Sequence, residues 1–404
     1  MIEDQIRNVS VPDKFIQNPC FDIELLRRFD FDAKLFEEQA SAVRDGEINA
    51  ATALIGEEFE PATGVEEAHF DGRDEERFVR RLGQEALAKG QVACLVLNGG
   101  LATRFGGVVK GTVTVFDDIS FLGAKIQDLA RAEELFGHRV PLLIMNSFAT
   151  KRGTASHLEA HAYFGFNPSD IYEFDQSISI RLTEHGDPFL GSDGKARYYA
   201  PGHGEFFQRL HTSGCYQKLV KQGVRYLTFS NIDNLGATID PLLLGMHVKS
   251  GCGMTVEVIK KTRNPNGQWD VGGAPLVMGG YTQVVEGFRI PPSVAAERLV
   301  DFQTNNMFFS IDALSEPPVL PRYMVNKKVE GRSSVAFEAV TCEASGVKRT
   351  SGEPWLSLNL VRVPRMGPRG RFFPVKAQED LEMFRESLKE RLESGWLMRK
   401  SDLA

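Results

Sequence analysis

Three short apolar runs, each ending in polar or glycine residues, most constrain how this chain can fold. VACLVLN begins at Val92, VPLLIMNS at Val140 and VRYLTFSNIDN at Val224, with helix-like patterns between them. Strands that are apolar on both faces are buried on both faces, and their alternation with helices predicts a parallel sheet covered on each side. Because ligands of such sheets bind beyond the carboxyl ends of the strands, the three polar ends predict one shared site.

The remaining residues divide the chain into parts with different patterns. Residues 1–90 carry apolar residues at helical spacing, which predicts a helical N-terminal segment. Residues 91–315 are predicted to form the core, and residues 316–404 a small α+β part that completes it and ends in a helix. Alternating stretches after about residue 250, such as MTVEVIKK and SSVAFEAVT, predict antiparallel strands. The expected fold class is therefore α/β with a mixed, mainly parallel central sheet.

The composition narrows the classes of protein to which the chain can belong. Its net charge of −7 argues against bulk binding to nucleic acid or to a membrane surface. The five cysteines lie far apart without a C-x-x-C pair, which is typical of a reducing compartment. The N-terminal residues lack a signal-peptide pattern, and no run approaches about 18 apolar residues. We therefore expect a cytoplasmic protein that binds small molecules.

The loop after the first apolar run, LNGGLATRFGG, offers bare backbone. Gly99 and Gly100 lack side chains that would block a ligand, and successive loop amides suit an anion. Arg104 and Lys110 bring positive charge to the same loop. The loop matches neither G-x-G-x-x-G nor the P-loop pattern, which disfavours a nicotinamide dehydrogenase. A tight turn and a ligand platform both remain open interpretations.

Two further segments carry polar groups suited to a ligand. SNIDN places Asp233 between asparagines at a strand end, where it either holds a divalent metal or forms an Asx-turn. PGHGEFF places His203 between glycines before a helical pattern, where bare amides suit a phosphate or a base edge. His157 and His161 in HLEAH are four residues apart, but a solvated helix face explains them better than zinc does. No pattern of an activated serine or cysteine nucleophile occurs.

Seven motifs occur in the order expected of one protein family. The motifs are LNGGLATRFGGVVKG, PLLIMNSFAT, FDQSISIRL, PGHGEFF, FSNIDNLGATIDP, FQTNNMFF and RGRFFPVK. With them the chain resembles the UTP–glucose-1-phosphate uridylyltransferases (UDP-glucose pyrophosphorylases), within the wider UDP-sugar pyrophosphorylase family, from about residue 90 to 385. The resemblance implies a Rossmann-like nucleotidyltransferase core and Mg²⁺-dependent transfer of UMP from UTP to a sugar 1-phosphate.

The resemblance also implies a role for each motif residue. Lys110, Lys376 and Arg104 are expected to be catalytic, and Asp233 to bind the metal. The amide of Gln176 suits the edge of uracil because it can both donate and accept hydrogen bonds. The residues implied to contact the nucleotide are Leu97, Asn98, Gly99, Gly100, Gln176, Gly202, His203 and Asn231. Those implied to contact the sugar are His203, Gly204, Asn231, Glu286 and Asn305.

The chain departs from the family pattern in its glycine-rich loop and at one later position. Ala102 replaces a glycine, Val109 replaces the usual proline, and the run to Lys110 is one residue shorter than in the eukaryotic members. We therefore expect the loop to follow a different path. Gln303 stands where the family has an asparagine, which predicts altered sugar contacts. The chain ends soon after Lys376, so the C-terminal β-helix domain of the eukaryotic members is expected to be absent and the oligomeric state stays open.

The expected reaction converts UTP and α-D-glucose 1-phosphate into UDP-glucose and pyrophosphate. In such a reaction the sugar phosphate attacks the α-phosphate of UTP in line, so the protein contributes positioning and charge neutralisation. One alternative is a pyrophosphorylase that uses galactose or N-acetylglucosamine 1-phosphate. Another is a protein that binds UDP-sugars without turnover, because the loop is altered.

Overall fold

The computed structural model of the chain describes residues 10–116, 118–263, 269–270, 272–294, 296–367 and 369–393. The ends of the predicted N-terminal and C-terminal parts, residues 1–9 and 394–404, lie outside the described residues. The α-helices within them are α1 (Asp13–Ile16), α2 (Ile23–Arg28), α3 (Ala33–Arg44), α4 (Asp74–Ala88), α5 (Phe121–Phe136), α6 (Lys151–Ala160), α7 (Phe206–Thr212), α8 (Cys215–Lys221), α9 (Pro241–Ser250) and α10 (Gln378–Glu393).

The strands in the same residues range from two-residue edge pairs to a ten-residue central strand. They are β1 (Glu60–Pro61), β2 (Glu66–Glu67), β3 (Val92–Leu97), β4 (Leu101–Ala102), β5 (Val108–Val109), β6 (Thr114–Phe116), β7 (Ile119–Ser120), β8 (Leu142–Asn146), β9 (Ile171–Asp175), β10 (Ser179–Ile180), β11 (Tyr198–Tyr199), β12 (Tyr226–Asn231), β13 (Met254–Lys260), β14 (Ala274–Met278), β15 (Tyr281–Val285), β16 (Asp301–Ser310), β17 (Tyr323–Val329), β18 (Arg332–Glu338) and β19 (Leu358–Arg362).

An eight-stranded sheet with the order β2-β19-β13-β16-β12-β3-β8-β9 forms the centre of the molecule. The three apolar runs of the sequence are β3, β8 and β12, and they pair in parallel as neighbours. Chain order turns around at β3, since β8 and β9 lie on one side of it and β12 on the other. Such a reversal opens a crevice at the carboxyl ends of the two central strands, which is where open α/β sheets bind ligands.

β16 runs against all the other strands of this sheet, pairing antiparallel with β12 and with β13. Its amino-terminal half therefore lies at the same sheet edge as the carboxyl end of β12. The register shifts between Val256 and Val258 of β13, which face Met307 and Gln303 of β16, so β16 bulges there. A bulge redirects side chains locally and is common next to functional sites. The prediction of a mixed, mainly parallel sheet is confirmed.

Helices cover both faces of the central sheet, and the alternation along β3 shows how. Val92, Cys94 and Val96 belong to an apolar cluster with α4, α5 and α9. Ala93 and Leu95 belong to the opposite cluster with α7 and α8. A strand buried on both faces needs apolar residues at successive positions, which is the pattern in the sequence.

The first helices form a separate apolar cluster beside these layers. α1, α2 and α3 contribute Phe15, Leu26 and Phe36, which pack with residues of β10, β17 and β18. The connector before α4 supplies two edge strands, because β1 pairs with β14 and β2 pairs with β19. Among the described residues, no helix has the length and apolarity needed to cross a membrane.

Candidate functional site

The glycine-rich loop after β3 folds as a hairpin that returns Lys110 to the sheet edge. β4 pairs antiparallel with β5, and the backbone N–H of Lys110 donates to the carbonyl of Gly100 at 3.3 Å. Gly106 and Gly107 have φ angles of +82° and +80°. Both angles lie in the left-handed region that glycine adopts without strain, so the tight connection depends on these two residues.

The two replaced loop positions are both buried in the hairpin. Ala102 is 4% exposed and Val109 is 8% exposed. The side chain of Val109 lies against α6, where it leaves no room for a side chain at Gly153. The loop therefore closes by apolar packing at these two positions.

Asn98, at the end of β3, anchors the other side of the hairpin. Its side chain is fully buried, with Nδ2 donating to Asn146 Oδ1 at 3.0 Å and to Thr154 Oγ1 at 2.8 Å. Its Oδ1 accepts the backbone N–H of Gly111, the residue after Lys110, at 3.1 Å. Only the backbone of Asn98 is left for a nucleotide, and its side chain fixes the turn from which Lys110 extends.

Lys110 and Asp233 form an ion pair at the carboxyl ends of β3 and β12. Lys110 Nζ lies 2.7 Å from Asp233 Oδ2, with side-chain exposures of 28% and 7%. The backbone carbonyl of Asp233 accepts the N–H of Val375 at 2.9 Å, which brings the C-terminal segment to the same place. The structure thus joins two of the predicted residues, although 123 positions separate them in the chain.

The other two predicted cationic residues have exposed side chains. Arg104 lies in the hairpin connection, and Lys376 directly follows Val375. In the described parts of the chain, neither side chain forms an ion pair. Both are free to approach an anionic ligand that enters the crevice.

Gln176 connects the glycine-rich loop to the segment around His203. Its side chain is 5% exposed, and its Nε2 donates to the carbonyl of Gly202 at 2.7 Å. A side chain at Gly99 would overlap the oxygen of this amide, so the close approach requires glycine. Gly100 has open space around its Cα, which leaves a bare stretch of backbone facing the crevice.

His203 is held as a neutral ring between two glycines that the fold requires. Gly202 has a φ of +93°, and a side chain on Gly202 or Gly204 would overlap the backbone of Ala339. His203 Nδ1 accepts the backbone N–H of Thr341 at 3.2 Å and also lies 2.8 Å from Thr341 Oγ1. Burial lowers the pKa of His203 to about 4, and the ring therefore offers a neutral N–H donor near pH 7.

A chain of hydrogen bonds links the predicted sugar contacts. Gln303 Nε2 donates to Glu286 Oε2 at 3.1 Å, and Gln303 Oε1 accepts the backbone N–H of Asn305 at 3.1 Å. Asn305 Nδ2 then donates to Asn231 Oδ1 at 2.9 Å. These four side chains come from β12, β16 and the residue after β15, and Asn231 is two positions before Asp233 in the chain. The bulge in β16 brings Asn305 to this edge.

Some contributors to the site have no local signal in the sequence. Thr341, which orients His203, is 138 residues away from it in the chain. Ser147 Oγ donates to the carbonyl of Gly99 at 2.7 Å and thereby supports the loop. Gln303 stands out as a departure from the family pattern, but its role as a link is visible only in the fold. His157 and His161 bond to Ser120 Oγ and to a backbone carbonyl, respectively, as expected of a structural pair.

The chain is similar to a known protein family and to several of its members. The model of a family described as "UTP--glucose-1-phosphate uridylyltransferase" matches residues 70–402. UTP–glucose-1-phosphate uridylyltransferase 2 of Dictyostelium discoideum is 30% identical over 328 residues, covering 76% of this chain and 61% of the relative. The UTP–glucose-1-phosphate uridylyltransferase of Solanum tuberosum is 31% identical over 324 residues, covering 76% of this chain and 64% of the relative. The chain thus spans about three fifths of the length of these curated relatives.

A solved structure supports the fold. It is a variant of UDP-glucose pyrophosphorylase from Leishmania major in complex with UDP-glucose. The TM-score is 0.67 at 22% identity, covering 86% of this chain and 78% of the other. At this identity the likeness establishes the architecture and not the ligand.

Proposed function

The chain belongs to the UTP–glucose-1-phosphate uridylyltransferase family, and from this membership we propose that it converts UTP and glucose 1-phosphate into UDP-glucose and pyrophosphate. The observation that carries the proposal is the Lys110–Asp233 ion pair at the crevice between β3 and β12. A cation and a carboxylate at this edge suit a triphosphate and its metal. The open space at Gly100 leaves room for both.

Uridine has suitable partners on the β3 side of the crevice. Gln176 presents an amide that is already oriented by its bond to Gly202, and an amide matches the donors and acceptors of uracil. His203 adds a neutral N–H donor, which suits a phosphate or hydroxyl oxygen without adding charge. The sugar 1-phosphate is proposed to lie toward Glu286 and Asn305, on the β16 side.

The reaction requires the protein to position the two substrates and to neutralise charge on their phosphates. An oxygen of the sugar phosphate attacks the α-phosphorus of UTP, a new P–O bond forms, and the bond to the departing pyrophosphate breaks. Lys110 neutralises charge on the phosphates, with Lys376 and Arg104 approaching from the exposed side. Charge stabilisation of this kind is commonly the largest single contribution to catalysis.

Mg²⁺ is the proposed cofactor, and the donor set fits it. Mg²⁺ binds proteins through one or two carboxylates and takes its other ligands from water and substrate phosphates. Among the described residues no cluster of three or more metal-binding side chains occurs, and Asp233 supplies a buried carboxylate at the crevice. When bound, the ion supplies positive charge that stabilises the phosphate oxygens. Asp233 would hold it, while the lysine side chain turns to the phosphates.

A pyrophosphate-release assay with UTP, Mg²⁺ and a panel of sugar 1-phosphates tests the proposal. We expect the highest kcat/KM with glucose 1-phosphate and a loss of turnover on chelation of the metal. Galactose and N-acetylglucosamine 1-phosphates test the alternative substrates, which the position of Gln303 in the sugar region keeps open. If none of the panel is turned over while UDP-glucose still binds, the chain is a UDP-sugar binding protein and the proposal is wrong.

The proposed compartment is the cytoplasm, where UTP and sugar phosphates occur in soluble form. The low cysteine count supports a reducing compartment. The proposed partners are UTP and the sugar 1-phosphate alone.

A further inference from the structure

Asn305 combines two unusual properties at the proposed sugar region. Its φ of +61° is in the left-handed region, which few non-glycine residues adopt. The residue is 8% exposed, and its side-chain Oδ1 is buried with no hydrogen-bond partner among the described residues. An unpaired buried acceptor costs about 1–3 kcal/mol. A cost of this kind at a functional edge points to a ligand that supplies the missing donor.

Gln303 determines how this acceptor is presented. Its Oε1 accepts the backbone N–H of Asn305, so it fixes the backbone of the residue that carries the unpaired oxygen. Its Nε2 donates to the carboxylate of Glu286, which also accepts the backbone N–H of Gly287 at 2.9 Å. Only a side chain with a donor and an acceptor at this length serves both partners, and glutamine meets that requirement.

We propose that Gln303 is the positioning residue that sets the sugar selectivity of the site, by holding the Glu286 carboxylate and the Asn305 Oδ1 as a pair of acceptors for sugar hydroxyls. The inference rests on the proposed function, since it takes the ligand to be a UDP-sugar. The Glu286 carboxylate and Asn305 Oδ1 can accept hydrogen bonds from a ligand but cannot donate any. The pair therefore selects hexoses with free hydroxyl groups at the facing positions and rejects deoxy analogues.

The bonds of Gln303 argue against a role in packing alone. A packing residue at a 7% exposed position is served equally well by an apolar side chain. Instead, both the nitrogen and the oxygen of the Gln303 amide form hydrogen bonds, and their partners are the two residues that the resemblance assigns to the sugar. Asn305 also bonds to Asn231 at the end of β12, so the arrangement extends to the strand that leads to Asp233.

Two substitutions change the two hydrogen bonds of Gln303 in different ways. Gln303→Met keeps the length of the side chain and removes both hydrogen bonds. Gln303→Glu keeps the acceptor for Asn305 but places a second carboxylate against Glu286. Gln222→Asn is the matched control, because Gln222 also donates one amide hydrogen bond, to Tyr172 at 2.7 Å, away from the crevice.

The first measurement is the dissociation constant of UDP divided by that of UDP-glucose, with both constants determined by calorimetry. For the unmodified protein we expect UDP-glucose to bind more tightly than UDP. In Gln303→Met the ratio is expected to fall by about tenfold while the affinity for UDP stays the same. Gln303→Glu is expected to lower the ratio as well, and Gln222→Asn to leave it unchanged. An unchanged ratio in Gln303→Met, or an equal fall in the control, overturns the inference.

The second measurement uses turnover with glucose 1-phosphate and its deoxy analogues. The unmodified protein is expected to reject at least one deoxy analogue by about 100-fold or more in kcat/KM, because a buried acceptor is then left unpaired. Gln303→Met is expected to raise the KM for glucose 1-phosphate, leave the KM for UTP unchanged and reduce the rejection. Equal effects on both KM values would indicate a merely structural role.

The two proposals fail in different ways. If the unmodified protein turns over no sugar phosphate but the binding ratio falls in Gln303→Met, the proposed reaction is wrong and the role of Gln303 stands. If turnover occurs and the binding ratio does not change, the role of Gln303 is wrong and the reaction stands.

Discussion

The ion pair between Lys110 and Asp233 joins two charges with unequal exposure. Asp233 is nearly buried, while the lysine retains about a quarter of its exposure, 28% against 7%. The lysine can therefore exchange its partner for a phosphate without crossing an apolar barrier, whereas the carboxylate stays in place. This asymmetry assigns the fixed role to Asp233 and the mobile role to Lys110.

Replacing Lys110 by methionine tests this assignment. The length of the side chain is kept and its charge is lost, so we expect kcat to fall by about 100-fold or more. Steady-state kinetics with UTP and glucose 1-phosphate measure the effect. Lys89→Met is the control, because Lys89 pairs with Glu85 on the exposed face of α4 and should leave kcat unchanged. A loss of less than threefold in Lys110→Met would contradict the role.

Gly99 and Gly100 form a second test at the scale of single residues. Gly99→Ala is expected to lower both the melting temperature and the affinity for UTP, because the new methyl group overlaps the amide of Gln176. Gly100→Ala meets open space, so the melting temperature should stay within about 1 °C while UTP binding weakens. Thermal unfolding and UTP titration measure the two effects. Normal UTP binding by Gly100→Ala would show that this backbone does not contact the nucleotide.

Among the elements of the fold, a buried ion pair joins β13 to the segment that follows β19. Arg371 Nη2 lies 2.6 Å from Glu257 Oε1, and the two side chains are 3% and 1% exposed. Asn234 and Asn306 complete the contact, since each donates to the backbone carbonyl of Arg371. The segment with Val375 and Lys376 is therefore tied to the loop that carries Asp233.

Substituting one partner of this ion pair should cost more than substituting both. Arg371→Met leaves the Glu257 carboxylate buried without its partner, so the free energy of unfolding is expected to fall by about 3–5 kcal/mol. The double variant Arg371→Met with Glu257→Gln is expected to recover part of that loss. Urea unfolding of the two variants and of Glu257→Gln measures the coupling. Strict additivity of the two single effects would contradict the proposed pairing.

The sequence predicts some elements of the site much better than others. β3 and β8 are continuous apolar runs that are buried on both faces, whereas β12 is partly exposed at Tyr226 and Thr228 and carries Thr and Ser among its apolar residues. β16 has the same central position, but its polar residues Gln303 to Asn306 serve the bulge and the site, and they interrupt the apolar pattern. The pairing of His203 with Thr341 depends on tertiary structure, which local patterns do not contain.

In the part of the chain that the structure describes, the buried His247 and the half-buried His203 tie stability to pH. Burial lowers the pKa of His247 to about 4, as it does for His203, compared with an ordinary value of 6.5. His247 bonds to Thr255 and Ser310, near the sheet edge opposite the crevice. The unfolded chain takes up protons at both rings below pH 6.5, whereas the folded protein does so only near pH 4.

The contribution of these two histidines to the free energy of unfolding should therefore be fully present above pH 6.5 and decline as the pH falls toward 4. At pH 5.5 each histidine is expected to account for a loss of about 1 kcal/mol in the free energy of unfolding. Melting temperatures measured from pH 7.5 to pH 5 follow this decline. His247→Gln cannot be protonated and should lose less stability across the range. An identical decline in this variant would show that His247 is not among the groups responsible.

The edge strand β2 can join the central sheet only after β19 has been synthesised. β2 pairs with β19, and the ion pair between Glu67 and Arg362 joins residues 295 positions apart. A ribosome must therefore synthesise nearly all of the central sheet before its first strand finds a neighbour. Until then residues 254–258 of β13 lack the strand that will cover them, and such an edge attracts other chains. During synthesis in the cell, the growing chain would be most prone to aggregation just before residues 358–362 emerge.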